Sequence, residues 1–256
     1  MEPGYWGALR DDDLGQIAQT LSDKGLSADD EIIVFADGAP AKGREGRVAW
    51  MLAYLGGKNV SILDADDQGW AKALINYPSQ NHPALMASMA AIRERQPQGN
   101  WQLDIDKSRR CTMQELSELR ELKKPKDPKD NGKPFVLVDT RSKKEFIGES
   151  YDYQPRLGHI PDAVLFPFLD FFGRDRNFID QGTYIVKMAA LAAVDATLEA
   201  IQNIEFVSYC EVGVRAALLA CLHEHHTGKI MRVYDGSIME WGANSALPVV
   251  MGECLS

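Results

Sequence analysis

Val207-Ser208-Tyr209-Cys210-Glu211-Val212-Gly213-Val214-Arg215-Ala216 joins a strand to a helix through a loop that carries a cysteine. Phe206 to Tyr209 is a short apolar run and reads as a buried strand; Ala216 to His223 is rich in alanine and leucine and reads as a helix. Backbone N–H groups converge where such a loop meets a helix N-terminus, and that environment favours an anion, either a thiolate or a bound oxyanion. It lowers a cysteine's pKa and makes Cys210 the candidate nucleophile. Gly213 permits the tight curl that aims successive amides inward. Arg215 adds a fixed charge with two-pronged donors. Glu211, Val212, Gly213 and Val214 complete the expected substrate cradle. The Glu211 carboxylate itself is expected in solvent; were it to face the pocket, its charge would oppose a dianionic ligand.

Outward from the loop, strands and helices alternate. Phe135 to Asp139 and Ile230 to Tyr234 read as further strands, with an apolar run at Ala163 to Phe168 and an alanine-rich helix over Val186 to Ile201. Met113 to Leu122 reads as a helix opened by a capping box of Thr112 and Glu115. Lys123 to Pro134 is too polar and proline-rich to pack and reads as a solvated loop. Nearer the start, Asp13 to Leu21 and Gly46 to Leu55 have helical composition, and Glu31 to Phe35 and Val60 to Leu63 read as strands. The predicted class is α/β, with central parallel sheets flanked by helices.

The two halves repeat. Glu31-x-x-x-Phe35-Ala36 matches Glu205-x-x-x-Tyr209-Cys210, and Asp64-x-x-x-x-x-Trp70 matches Asp235-x-x-x-x-x-Trp241. Between the matches each copy has an arginine (Arg47, Arg215), an apolar helix, a glycine (Gly56, Gly228) and a strand. Ala36 stands where the second copy has Cys210, so one copy bears the thiol. Counterparts of the strand at 135 and of the turn at Gly158 would fall before residue 1. The expected division is therefore a partial, non-catalytic unit over 1–78 lacking its N-terminal part, a linker over 79–110, and a catalytic unit over 111–256. The missing part is expected in a longer chain or a partner subunit.

Composition excludes several classes. The chain has 256 residues, enough for one large or two small domains, with 45% hydrophobic and 25% charged residues. Its formal net charge is −9 with no basic block, so nucleic acid and anionic membrane are poor partners. No apolar run approaches a membrane span, and Met1 to Tyr5 does not open a signal peptide. This chain alone favours the cytoplasm and leaves the periplasm open. Cys111, Cys210, Cys221 and Cys254 are too widely spaced for a zinc ribbon or a disulfide scaffold. Cys221 is expected in the core with Leu218 and Leu222, and Cys254 in an inert tail. His223-Glu224-His225-His226 lacks the H-E-x-x-H spacing, since Thr227 takes the last position, and reads as a solvated helix end. Trp70 and Trp241 read as packing anchors.

The C-x-x-G-x-R loop, together with Asp139-Thr140-Arg141, Gly158-His159-Ile160-Pro161-Asp162-Ala163, Tyr234-Asp235-Gly236-Ser237 and Glu240-Trp241, resembles the rhodaneses, the thiosulfate and related sulfurtransferases. The resemblance covers about residues 112 to 250, and the first unit resembles the non-catalytic copy of tandem rhodaneses. It implies a double displacement: Cys210 takes sulfane sulfur as a persulfide, and cyanide or a thiol removes it, with no metal or organic cofactor. The partners it implies are a small sulfur donor and a thiophilic acceptor. His159 is then a structural residue of its turn. Arg215 becomes a substrate ligand, and Arg141 either another or half of an ion pair with Glu145. Mercaptopyruvate enzymes resemble C-G-[SA]-G-V-T in this loop and lack its arginine, so Arg215 favours thiosulfate or a persulfide as donor. Two alternatives stand beside this: a rhodanese-like phosphatase, whose loop C-x-x-x-x-x-R is one residue longer, and a non-enzymatic sulfur-carrying module of a larger assembly.

Overall fold

The computed structural model describes residues 8–36, 41–64, 99–123, 135–149, 154–174 and 176–252. In chain order its elements are α1 (Leu14–Asp23), β1 (Glu31–Val34), α2 (Arg44–Tyr54), β2 (Asn59–Ile62), α3 (Met113–Lys123), β3 (Phe135–Asp139), α4 (Lys143–Ile147), β4 (Ala163–Leu165), α5 (Gln181–Ala192), α6 (Leu198–Gln202), β5 (Glu205–Tyr209), α7 (Val214–Thr227), β6 (Arg232–Val233) and α8 (Ser237–Ala243). Among the described residues no helix is long and apolar enough to cross a membrane.

β5 is the apolar run that ends at Tyr209, and it is buried on both faces, as the inner strand of a parallel sheet must be. It pairs with β3 on one side, Asp139 opposite Tyr209, and with β6 on the other, Val207 opposite Arg232. β4 lies beyond β3, which gives the all-parallel order β4-β3-β5-β6. β1 and β2 form a separate parallel pair with Ile32 opposite Val60. The alternation of parallel strands and helices agrees with the predicted class. β1-α2-β2 and β5-α7-β6 are the same strand–helix–strand unit, as the repeat anticipates.

Glycine lets the two units meet. A Cβ added at Gly46 of α2 would stand 2.3 Å from the Leu218 Cα of α7, and one at Gly43 3.3 Å from the Arg215 Cα. The two helices therefore run side by side with their N-termini together. One apolar core continues across this contact, from Leu14 and Trp50 through Leu218 and Leu222 to Phe171 and Met188. A second core fills the other side of the four-stranded sheet, around Leu116, Leu137, Val207, Tyr234 and Trp241.

Most expected elements fall within a residue or two of their predicted spans, and three readings need correction. The linker expected over 79–110 is described from residue 99 on, and 99–110 is packed. Trp101 is 4% exposed, donating its indole N–H to the Leu55 carbonyl (3.1 Å) and its backbone N–H to Ser22 Oγ (2.8 Å). Arg109 makes a two-pronged bond to Glu224 at 2.5 and 2.9 Å. A buried indole and the two-pronged Arg109 bond thus outweigh the polarity of the stretch. The helix expected over Val186 to Ile201 is two helices, broken at Ala193, whose φ is +54°, and restarted by the Thr197 cap. The histidine-rich end of α7 is not solvated throughout. His225 is exposed, but His223 and His226 are buried against α5, where the Tyr184 hydroxyl lies 2.9 Å from His223 Nδ1. The capping box forms as predicted: the Glu115 N–H donates to Thr112 Oγ1 and the Glu115 carboxylate accepts from the Thr112 N–H. Trp241 is fully buried with its indole N–H on the Pro248 carbonyl. Trp70, Cys254 and the loop 124–134 lie outside the described residues.

Candidate active site

Cys210 follows directly on the last residue of β5 and is 1% exposed. The end of β5 is held by Thr140, whose N–H and hydroxyl both donate to the Tyr209 carbonyl (3.0 and 3.2 Å). The Cys210 N–H donates to Ser237 Oγ (3.1 Å), and the Cys210 and Glu211 carbonyls accept from the Ile238 and Met239 N–H groups, both at 3.2 Å. The loop is therefore clamped to the first turn of α8 before it turns toward α7.

Gly213 closes the curl. Its φ is +80°, and a Cβ there would meet the Asp235 carbonyl oxygen at 2.8 Å, so both conformation and space exclude a side chain. α7 begins at the next residue, Val214, with no side-chain cap. Its first-turn N–H groups have no acceptor within the helix and end the loop as anion donors. The thiol is thus at the base of a short arc formed by Glu211, Val212, Gly213 and Val214.

Arg215 lies in the first turn of α7. Its guanidinium grips Glu145 of α4 at 3.0 and 2.8 Å and reaches Glu211 at 3.8 Å. Glu145 also accepts from the Ser142 N–H and hydroxyl in a capping box that starts α4. Burial works against the Glu145 charge, but Arg215 and Ser142 overcome it and hold the carboxyl at about 2. Burial likewise opposes the charge on Arg215, while the bond to Glu145 pushes its pKa up. Glu211 is half-buried beside Arg215 and not out in solvent as expected, because the arginine draws it onto the rim of the loop.

Arg141 is not brought to the loop. It is fully buried, with bonds to both Asp139 oxygens, to Gln154 Oε1 (2.8 Å) and to the Gly158 carbonyl (2.8 Å). Neither a substrate contact nor a pair with Glu145 is left to it. Asp139, two residues back, captures it first, and the pair ties the end of β3 to the turn before Ile160. In that turn His159 Nδ1 lies 2.8 Å from the Phe146 carbonyl and its ring stacks on Phe146.

Other groups at the loop were not singled out by the sequence as site residues. Asp235, 2% exposed, lies against Gly213 and gathers the Leu9 N–H (2.7 Å), Arg110 Nε (3.0 Å) and the Arg47 guanidinium (3.7 Å). All three donors come from the N-terminal half of the chain. The repeat showed Arg47 and Asp235 as matched positions, which was the one available signal. Burial pushes the thiols of Cys111 and Cys221 up to about 12, which leaves them protonated at neutral pH. Among the described residues no three His, Cys, Asp or Glu side chains converge as a metal-ligand set.

A family model described as a rhodanese-like domain matches residues 115–244, half of the chain. A thiosulfate sulfurtransferase of Corynebacterium glutamicum is 26% identical over 251 residues, covering 92% of this chain and 71% of its own. A probable 3-mercaptopyruvate sulfurtransferase of Pseudomonas aeruginosa is 28% identical over 243 residues, covering 94% and 75%. Among solved structures, the anaerobic ergothioneine biosynthesis enzyme of Chlorobium limicola superposes with a TM-score of 0.70 at 19% identity, over 98% of this chain and 57% of that one. YnjE superposes with a TM-score of 0.71 at 22% identity, over 99% and 55%. The chain thus spans little more than half the length of these two structures, and at such identities they speak to the fold alone. With the family model laid over β3 to α8 and the Cys210 loop inside it, the chain belongs to the rhodanese-like domain family.

Proposed function

We propose that the chain is a sulfurtransferase that moves sulfane sulfur from thiosulfate or a persulfide donor to cyanide or a thiol, through a persulfide on Cys210. The class is that of its named relatives. The observation that carries the finer reading is the position of Cys210 between the end of β5 and the N-terminus of α7, with Arg215 in the first turn. The proposed division of labour puts catalysis in residues 111–256 and leaves 1–78 as a non-catalytic unit, which has Ala36 in place of the cysteine.

In the first half-reaction the Cys210 thiolate attacks the outer sulfur of thiosulfate. A new S–S bond forms, the old one breaks, and sulfite departs with the electron pair of that bond. The terminal sulfur of the persulfide then carries the negative charge, which the loop amides and the positive end of α7 stabilise. In the second half-reaction cyanide attacks that sulfur, thiocyanate leaves, and the Cys210 thiolate is restored. Glu145 holds Arg215 across the loop, so the guanidinium stays in place through both steps.

The loop has four residues between Cys210 and Arg215, which makes a tight cradle suited to one sulfur atom. The experiment is a paired assay of the wild-type chain with thiosulfate plus cyanide and with an aryl phosphate. Thiocyanate production without phosphate hydrolysis is expected. Hydrolysis without thiocyanate would replace this reading with the phosphatase. A stable persulfide on Cys210 that no small acceptor removes would favour a sulfur carrier.

A further inference from the structure

We infer that the first unit is not a passive appendage of the site but supplies Arg47 of α2 as a positioning residue that holds Asp235 against the Cys210 loop. This rests on Cys210 being the reactive thiol in the function proposed above. The geometry behind it is a chain of close contacts. α2 and α7 start side by side, with the N-caps Gly43 and Gly213 in the same left-handed conformation (φ +82° and +80°). Arg47 follows one helical turn after Gly43, its N–H on the Gly43 carbonyl at 3.0 Å. Its guanidinium lies over the Trp50 ring at 4.7 Å and faces Asp235 Oδ2 at 3.7 Å. Asp235 in turn presses its backbone against Gly213, the closing residue of the Cys210 loop. Arg47 therefore acts through Asp235: it fixes the wall on which the loop curls and partly neutralises the carboxylate that stands beside the Cys210 loop. Burial draws the Arg47 pKa down, and the Asp235 carboxylate opposes that shift.

The charged groups packed around the loop are Glu211 and Arg215 on the loop and α7, Glu145 on α4, Asp235 before α8, Glu240 on α8, Arg110 behind Asp235, and Arg47 on α2. Arg215 and Arg110 each grip a carboxylate at 3.0 Å or less, and Arg47 is the one cation here that belongs to the first unit's repeat. A cation next to an acid lowers its pKa by roughly one to three units. Removing this one should raise the pH at which Cys210 ionises.

The experiment follows alkylation of Cys210 by iodoacetamide across pH in the full chain, read by mass at the Cys210 peptide. In parallel, kcat and KM for thiosulfate are measured with cyanide as acceptor. Arg47→Met is expected to move the midpoint of the alkylation profile up by about one unit and to cut kcat/KM at neutral pH about tenfold, a loss regained at higher pH. Arg47→Lys should recover most of both. Arg47→Gln, which keeps donors toward Asp235 without the charge, carries the same test if the methionine variant does not fold. Arg109→Gln breaks another ion pair between the halves, at the far end of α7, and should lower stability with the midpoint unmoved. An unchanged midpoint in folded Arg47→Met or Arg47→Gln overturns the inference, as does an equal shift in Arg109→Gln. A wild-type chain that makes no thiocyanate while its Arg47 variants still shift the midpoint would refute the proposed function and leave this inference standing.

Discussion

Arg215 and Arg141 are both guanidiniums bound to a carboxylate on two prongs, yet they answer to different tasks. Arg215 is held by Glu145 beside the Cys210 loop, and in the function proposed above its removal strips a charge-assisted bond from the reacting end. Such bonds contribute roughly 1.5–3 kcal/mol, and Arg215→Ala is expected to slow thiosulfate-dependent transfer about ten- to a hundredfold. Steady-state thiocyanate production checks this. Arg141 is sealed in the core with Asp139. Arg141→Ala leaves that carboxylate buried and unpaired, at a cost of about 3–5 kcal/mol. The expected result is a lower denaturant midpoint with turnover per folded molecule close to wild type. A hundredfold loss of turnover in folded Arg141→Ala would return it to the substrate.

Among the elements, the loop from β5 to α7 and the α2–α7 contact depend on glycine for different reasons. Gly213→Ala would force a Cβ into the left-handed region, at roughly 1–2 kcal/mol, and against the Asp235 carbonyl. Transfer is expected to fall at least tenfold while the far-ultraviolet circular dichroism is kept. Gly46→Ala would press on the Leu218 backbone, which cannot yield as a side chain would, and should lower stability by about 1–3 kcal/mol in urea melts. The strands and most helices were legible in the sequence because their apolar periods are strong and their caps, Thr112 with Glu115 above all, are local. Cys210, Gly213 and Arg215 were legible because the chemistry fits into six consecutive residues. Arg47, Glu145 and the burial of His223 were not. Arg47 meets Asp235 and Glu145 meets Arg215 only after the chain has folded back over many residues, and the face of α7 that carries His223 is covered by Tyr184 of α5. The break at Ala193 had no turn residue to announce it.

Taken as a whole the molecule should be acid-sensitive in two stages. Burial holds His223 at about 4, below its ordinary 6.5, so an unfolded chain takes up that proton first and stability falls as pH drops from about 6.5 to 4. Glu145, held at about 2 against an ordinary 4.5, contributes stability that is complete above 4.5 and is lost as pH falls toward 2. Each group accounts for about 3 kcal/mol on the scale of 1.36 kcal/mol per unit. His223→Gln should flatten the first stage in urea melts across pH and leave the second. The two halves share a core, an Asp235 hub and the paired starts of α2 and α7, so in the function proposed above the whole described chain frames one reactive sulfur. The most direct measurement of that claim is the intact mass of the wild-type chain and of Cys210→Ser after thiosulfate, before and after cyanide. One added sulfur atom is expected on the wild type, removed by cyanide as thiocyanate, and none on Cys210→Ser. Added sulfur or thiocyanate turnover in Cys210→Ser, or a wild type that never gains the atom, would contradict it.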